Sequence, residues 1–172
     1  YMKKWVIAVM SLFLLTACGD EKDASPEQLQ KTIDDGTVGF EMLGGNIQEA
    51  TGVPEDEKQE IIQAFNEYIA AFNDKDLERY KRIISQNAKG FDYEEDVKAV
   101  AEVFKQYDIN RSAEDITIVN YKQDEAQVFS NLTTDTKELE TGAELSGKGR
   151  QVTVFVKEDH WKVSSIYYIG DE

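Results

Sequence analysis

His160 and Cys18 are the only histidine and the only cysteine in 172 residues. A zinc site needs three or four nitrogen, sulfur or carboxylate ligands, and a Cys–His pair needs a free thiolate; neither can be assembled from one of each so far apart. His160 lies between Asp159 and Trp161, in a stretch that reads as a turn with a place for a residue tolerating φ > 0. Turn geometry explains it better than catalysis does. Asp74-Lys75-Asp76-Leu77-Glu78 alternates carboxylates as a calcium loop does, but Arg79 stands where such a loop requires glycine, so the stretch reads as a helix junction. Asn131-Leu132-Thr133 matches a glycosylation sequon, and no nucleophile-elbow pattern appears. No metal and no cofactor is expected.

Proton transfer is the chemistry left to test. A base that takes a proton from carbon must sit in an enclosed place with a raised pKa. Four segments alternate with a period of two: Ile116 to Tyr121, Ala126 to Asp135, Gln151 to Lys157 and Trp161 to Ile169. The interiors ITIVNY, AQVFSNLTT, QVTVFVK and WKVSSIYYI hold no aspartate or glutamate. Their polar groups are Asn120, Ser130, Asn131, Thr133, Thr134, Ser164, Ser165 and tyrosines. A base would have to come from a helix, where Glu60, Glu67 and Asp96 read as solvated positions. No catalytic residue is expected.

Cys18 has a different explanation. Met2-Lys3-Lys4 starts a basic segment, Trp5 to Leu15 is an apolar run, and Thr16-Ala17 are small. Eleven residues make roughly 16 Å of helix, short of a hydrocarbon core of about 30 Å, so the run is too short to span. A charged start, an apolar centre and small residues before a cut describe a secretory signal. Leu15-Thr16-Ala17-Cys18 resembles the lipobox of bacterial lipoproteins. The resemblance implies cleavage after residue 17, lipidation of Cys18 with chains such as palmitate, and a protein held at the extracytoplasmic face of a cell membrane. The Lys-Lys start and single anchor fit a Gram-positive outer leaflet.

The remaining composition agrees. No cysteine follows Cys18, so no disulfide forms within the mature chain and stability must come from packing. The chain carries 19 basic and 34 acidic residues. Without Lys3 and Lys4 the balance is 17 against 34, a formal charge of −17. Such a body repels phosphates, which excludes nucleic acid as a partner, and it repels anionic head groups. Gly19 to Ala24 is small and charged, a tether with nothing to bury. Val38, Phe40, Met42, Leu43 and Ile47 are too apolar for a free linker, and residues 37 to 50 read as an arm that docks on the main body. The organisation is therefore a signal at 1–17, a lipidated tether and arm at 18–54, and one domain at 55–172.

Within that domain, Ile61, Phe65, Tyr68, Ile69 and Phe72 recur at helical spacing, which predicts a helix from about Glu55 to Asn73. Asp74 is placed to cap a second helix carrying Leu77, Tyr80, Ile83 and Ile84. Asp92 is placed to cap a third with Val97, Val100, Ala101 and Phe104. Residues 137 to 149 read as a polar loop. Helices followed by antiparallel strands give an α+β fold with the helices on one face.

The stretch IIQAFNEYIAAFNDKDLERYKRIIS, a shorter helix, and four strands ending in VKEDHWKVSSIYYI resemble the NTF2-like superfamily over about residues 55 to 170. The resemblance implies a cone: N-terminal helices packed on a curved antiparallel sheet. It implies little about function, because the fold hosts isomerases, hydrolases and accessory domains. If the cone is open, Tyr80, Asn120, Ser165 and Tyr167 are the residues expected to line it. They offer hydrogen bonds without charge at neutral pH. The expected function is a non-enzymatic binding or accessory module at the envelope, contacting an envelope protein or a small ligand. The alternative is a ligand carrier or an isomerase- or hydrolase-like enzyme.

The lipobox reading makes a direct prediction. Cys18→Ser is expected to abolish incorporation of labelled fatty acid and to prevent normal membrane anchoring; unchanged labelling would remove the lipoprotein reading.

Overall fold

The computed structural model describes residues 47 to 171. The leader, Cys18 and most of the expected arm lie outside the described residues. Three helices, α1 (Glu55–Asn73), α2 (Leu77–Ile83) and α3 (Tyr93–Gln106), precede strands β1 (Tyr107–Lys122), β2 (Glu125–Glu138), β3 (Glu144–Lys157) and β4 (Trp161–Gly170). The strands form one antiparallel sheet in the order β1-β2-β3-β4.

Helix α1 follows Pro54 and opens with Glu55, Asp56 and Glu57, whose charge suits the positive end of the helix dipole. Ile61, Ala64, Phe65, Tyr68, Ala71 and Phe72 form its buried stripe. Asp74 terminates this helix and does not begin the next one. Lys75 takes a left-handed φ of 54°, which carries the chain on to Asp76, and Asp76 caps α2 by accepting from the Arg79 N–H at 3.0 Å. Asp92 caps α3 as the sequence suggests, accepting from the Glu95 N–H at 2.9 Å.

The strands run longer than their periodicity indicates. β1 begins directly after α3, and the loop expected over residues 137 to 149 is a hairpin in which Lys137 to Leu132 pair with Glu144 to Gly149. That end stands in solvent on both sides, with Leu145 74 % exposed. A strand end with no buried face lacks the apolar alternation that marks a strand, and backbone pairing alone holds it. The longer strands also contain carboxylates that the short segments lack, Asp108, Glu114, Asp115, Glu125, Glu138 and Glu144, and place Asp135 within β2 rather than at its end.

Each sheet face carries a separate apolar cluster. On the helix side Ile118, Ala126, Val128, Phe155, Trp161 and Val163 meet Ile61, Phe65, Tyr68, Phe72, Tyr80 and Ile84. On the outer side Phe129 and Val152 pack with Val119, Tyr167, Ile169 and Ile47. Of the three register shifts in the sheet, one lies between Glu114 and Thr117 and the other two decide the sides taken by the residues that follow them. β1 shifts register between Ile118 and Asn120, and β4 shifts between Val163 and Ser165. Each extra residue reverses the alternation beyond it.

Both sheet edges are partly covered. The Asn73 side chain exchanges two 2.8 Å hydrogen bonds with the backbone of Arg111, imitating a neighbouring strand. Along β4, Ile84 bridges Val163, and the N–H groups of Lys89 and Gly90 donate to the Ser164 carbonyl at 3.0 and 2.9 Å.

A polar clasp ties the start of α1 to the β3–β4 hairpin. The Lys157 ammonium lies 2.8 Å from both oxygens of Glu57 and 2.9 Å from Glu60. The buried Trp161 indole N–H donates to Glu57 at 2.9 Å. Lys157 and Trp161 together hold the Glu57 carboxyl below its ordinary value of 4.5, outweighing its desolvation. Because the native carboxyl is the stronger acid, the stabilisation is complete above that ordinary value and is lost as pH falls through the lowered one. Glu57→Ala is expected to cost about 1–3 kcal/mol by leaving the indole N–H without an acceptor. It is also expected to flatten the fall in thermal midpoint that acidification below pH 4.5 should produce; calorimetry at neutral and acid pH checks both outcomes.

Candidate functional site

The interior polar groups gather where α1, α2, α3 and β1 meet. Tyr80, on the buried side of α2, donates its hydroxyl proton to Asp96 Oδ2 at 2.9 Å. Arg111, from the helix side of β1, donates through Nη1 to the Tyr68 hydroxyl at 3.2 Å. Its guanidinium carbon stands 3.6 Å from the Phe72 ring centroid. Phe72 in turn meets Phe104 and Tyr80 edge-on, with centroids 5.1 and 6.1 Å apart. Stacking on an aromatic face suits a planar, weakly hydrated cation, and so retains Arg111 in an apolar surround. Its Nε is buried and finds no hydrogen-bond partner among the described residues.

The electrostatics follow from burial. Desolvation raises the Asp96 carboxyl above its ordinary 3.8, against the opposing pull of the Tyr80 hydroxyl and the Arg111 charge. Tyr80 is pushed far up by burial, then by the neighbouring Tyr68 and Asp96. Tyr68 is likewise raised by burial, with Arg111 acting against it. Asp96 therefore does not occupy the solvated position its sequence context suggested. The aspartate lies in the first turn of α3, on the side that faces Tyr80, whereas Glu60 pairs with Lys157 and Glu67 grips Arg79 through two 2.8 Å bonds. In the sequence it is the last of three consecutive carboxylates before Val97, and nothing local sets its inward aim apart.

Of the residues expected to line the cone, Tyr80 alone faces this cluster. Asn120 stands opposite Gln127, whose neighbours Ala126 and Val128 face the helices, so the pair points outward. Ser165 pairs with Val154 beyond the bulge and lies against Gly90. Tyr167 packs with Phe129 and Val152 on the outer cluster. Simple alternation from Ile118 and Val163 would have put all three inside; the extra residues at 119 and 164 turn them out.

His160 is exposed in the β3–β4 turn, with Nε2 3.0 Å from the Arg82 carbonyl and Nδ1 3.0 Å from Asp159. The expected left-handed backbone is absent there: the non-glycine residues with positive φ are Lys75 and Asp115. A groove of about 440 Å³ runs past His160, Trp161, Arg79, Arg82, Glu60 and Glu67. A second, of about 700 Å³, lies at the far sheet end between Asn73, Lys75, Asp108, Ile109, Thr136 and Leu145. Neither is lined by Tyr68, Tyr80, Asp96 or Arg111. Among the described residues no cluster of three or more His, Cys, Asp or Glu could hold a metal ion.

The family model of the C-terminal domain of anti-sigma-I factor RsgI9 matches residues 63–168. An NTF2-like superfamily protein from Salmonella enterica serovar Typhimurium is 15 % identical at a TM-score of 0.61, over 67 % of this chain and 91 % of that one. A ketosteroid isomerase-like protein from Erwinia carotovora atroseptica is 17 % identical at 0.57, over 69 % and 99 %. A conserved protein from Planctomyces limnophilus is 15 % identical at 0.59, over 69 % and 100 %. At such identities the likeness is one of fold, and the fold is the NTF2-like α+β cone. No curated protein matches.

The Tyr80–Asp96 bond gives a measurable consequence. In a carboxyl-carbon NMR titration Asp96 is expected to titrate above 3.8. Tyr80→Phe removes the donor that favours the charged form, so the midpoint should rise further. Because the native carboxyl is the weaker acid, Asp96 contributes most below its unfolded pKa and least once pH has risen through the native one. Asp96→Asn should therefore hold stability more nearly level across that window.

Proposed function

We infer what this chain does from its kinship first: it belongs to the family of the C-terminal domain of anti-sigma-I factor RsgI9. That relative is named for regulation, and the shared NTF2-like fold carries no activity of its own. We propose that the chain is a lipoprotein, anchored through Cys18 at the extracytoplasmic face of the membrane, whose folded domain acts by binding an envelope protein or a small ligand and not by turnover.

The observation that carries the non-catalytic reading is the state of Asp96. It is the helix carboxylate aimed inward, it accepts a hydrogen bond from Tyr80, and neither groove is lined by it. A general base must come within hydrogen-bond reach of the proton it removes. On the sheet's inner face the buried polar groups Ser130, Gln151 and Thr153 are uncharged, and the charged group beside the cluster, Arg111, is a cation that cannot act as a base. The anchoring reading rests on Leu15-Thr16-Ala17-Cys18 and its apolar leader. Among the described residues no helix is long and apolar enough to cross a membrane. The chain's formal charge of −15 disfavours nucleic acid. Exposed Leu139, Leu145, Ile166 and Tyr168 offer a protein partner apolar contact.

One observation favours the alternative of a cone enzyme: Asp96 has a raised pKa and stands with Tyr80 and Arg111, a set able to move a proton and hold an anion. The two readings separate in one experiment. The mature chain is screened for small-molecule binding by thermal shift, and the binders are assayed for isomerisation, dehydration and hydrolysis. Binding without turnover, or capture of an envelope protein with neither, is expected. Turnover that falls by about 10²-fold or more in Asp96→Asn, with the fold intact, would overturn the proposal.

A further inference from the structure

The outer sheet face carries an apolar row that crosses the strands. Phe129, Val152 and Tyr167 are direct partners in register on β2, β3 and β4, and Val119 and Ile169 flank them. Among the described residues, Ile47 is the one apolar side chain from outside the sheet packed on this row. Three residues later the chain is already leaving that face. The Ala50 N–H donates to the Ile118 carbonyl at 2.7 Å on the β1 edge, and Ala50 and Val53 pack with the helix-side cluster. The polypeptide thus passes from the outer face, round the β1 edge, into α1.

We propose that the segment immediately upstream, Val38 to Leu43, lies along this outer row and is its occupant. The length suffices. Four strands span about 14 Å between the outermost axes, at about 4.8 Å per spacing. The seven residues from Ala50 back to Leu43 reach about 23 Å when extended. Ile47 marks the way across, so Leu43, Met42 and Phe40 arrive over β3 and β4, where Val152, Tyr167 and Ile169 await cover. The chemistry suffices too. Val38, Phe40, Met42 and Leu43 are apolar and Glu41 is the single charge among residues 38 to 43, whereas Glu27 to Asp35 supplies mostly polar groups. Apolar supply ends where the sheet ends. The domain is then completed by its own linker, the outer face is closed to partners, and the tether begins beyond residue 38. This inference does not depend on whether the domain binds or catalyses.

Disulfide trapping in the full chain tests it. In a Cys18→Ser background, Phe40→Cys, Met42→Cys or Leu43→Cys is combined with Ile169→Cys on the outer face, or with Ile166→Cys. Ile166 pairs with Thr153 and so faces the helix side. Mild oxidation should give an intramolecular disulfide to position 169 from at least one arm position and none to 166. Thermal unfolding supplies a second readout: Leu43→Ala and Tyr167→Ala should lower the midpoint non-additively, whereas Leu43→Ala with Phe65→Ala, on the other face, should add. Preferential trapping to 166, or no trapping together with additive effects at Tyr167, overturns the proposal. Trapping only between molecules would assign the face to a second copy of the chain and overturn it as well.

Discussion

The position of one extra residue in β4 governs much of this molecule. Ser164 is inserted between Val163, which pairs with Phe155, and Ser165, which pairs with Val154. A bulged residue leaves ladder partners unmade, and a buried carbonyl without a partner costs free energy. Here the loop after α2 supplies the partners: Lys89 and Gly90 both donate to the Ser164 carbonyl, and the Lys89 N–H also lies 3.2 Å from its hydroxyl. The approach is so close that a Cβ on Gly90 would sit 2.8 Å from the Ser165 side chain. Helix α2, its loop and the bulge therefore fit as one unit. From that unit follows the sidedness of the last strand: Trp161 and Val163 inside, Tyr167 and Ile169 outside.

Charge is distributed by the same logic of enclosure. Glu57 and Asp96 are both carboxylates at helix starts, and their environments push them in opposite directions. Glu57 meets an ammonium and an indole N–H at the protein surface and becomes the stronger acid. Asp96 is drawn among Tyr80, Tyr68 and Arg111, where lost solvation exceeds what its neighbours return, and becomes the weaker acid. One strengthens the joint between α1 and the sheet; the other sits half-buried against Tyr80. The surrounding surface, rich in acidic residues, holds its cations largely in pairs such as Arg79 with Glu67 and Asp74 or Lys162 with Asp159.

The family and the fold narrow the functional question without answering it. The NTF2-like cone accommodates acid–base chemistry when a carboxylate meets an opening, and accommodates recognition when it does not. In this chain the inward carboxylate is bonded to Tyr80, and the described grooves lie elsewhere, one beside the β3–β4 turn and one beside the projecting β2–β3 end. The proposed role in recognition rests on this half-buried carboxylate standing outside both grooves.

Much of the fold was legible in the sequence because it is written in periods. The stripe from Ile61 to Phe72, the cap at Asp92 and the alternation around Val128, Val154 and Val163 are local signals, and each produced the element it indicates. The proposal for Cys18 also rests on neighbouring residues alone, and it lies outside the described structure. Three features were not local. The β2–β3 end has exposed faces and no periodic mark, so only pairing with a partner strand makes it a strand. The aim of Asp96 depends on where Tyr80 is brought by α2. The sides taken by Asn120, Ser165 and Tyr167 depend on bulges at positions 119 and 164, where one residue reverses every side chain after it and the composition of the strand is unchanged. A period can be read along a chain, but its phase relative to a core is set by contacts made across the sheet.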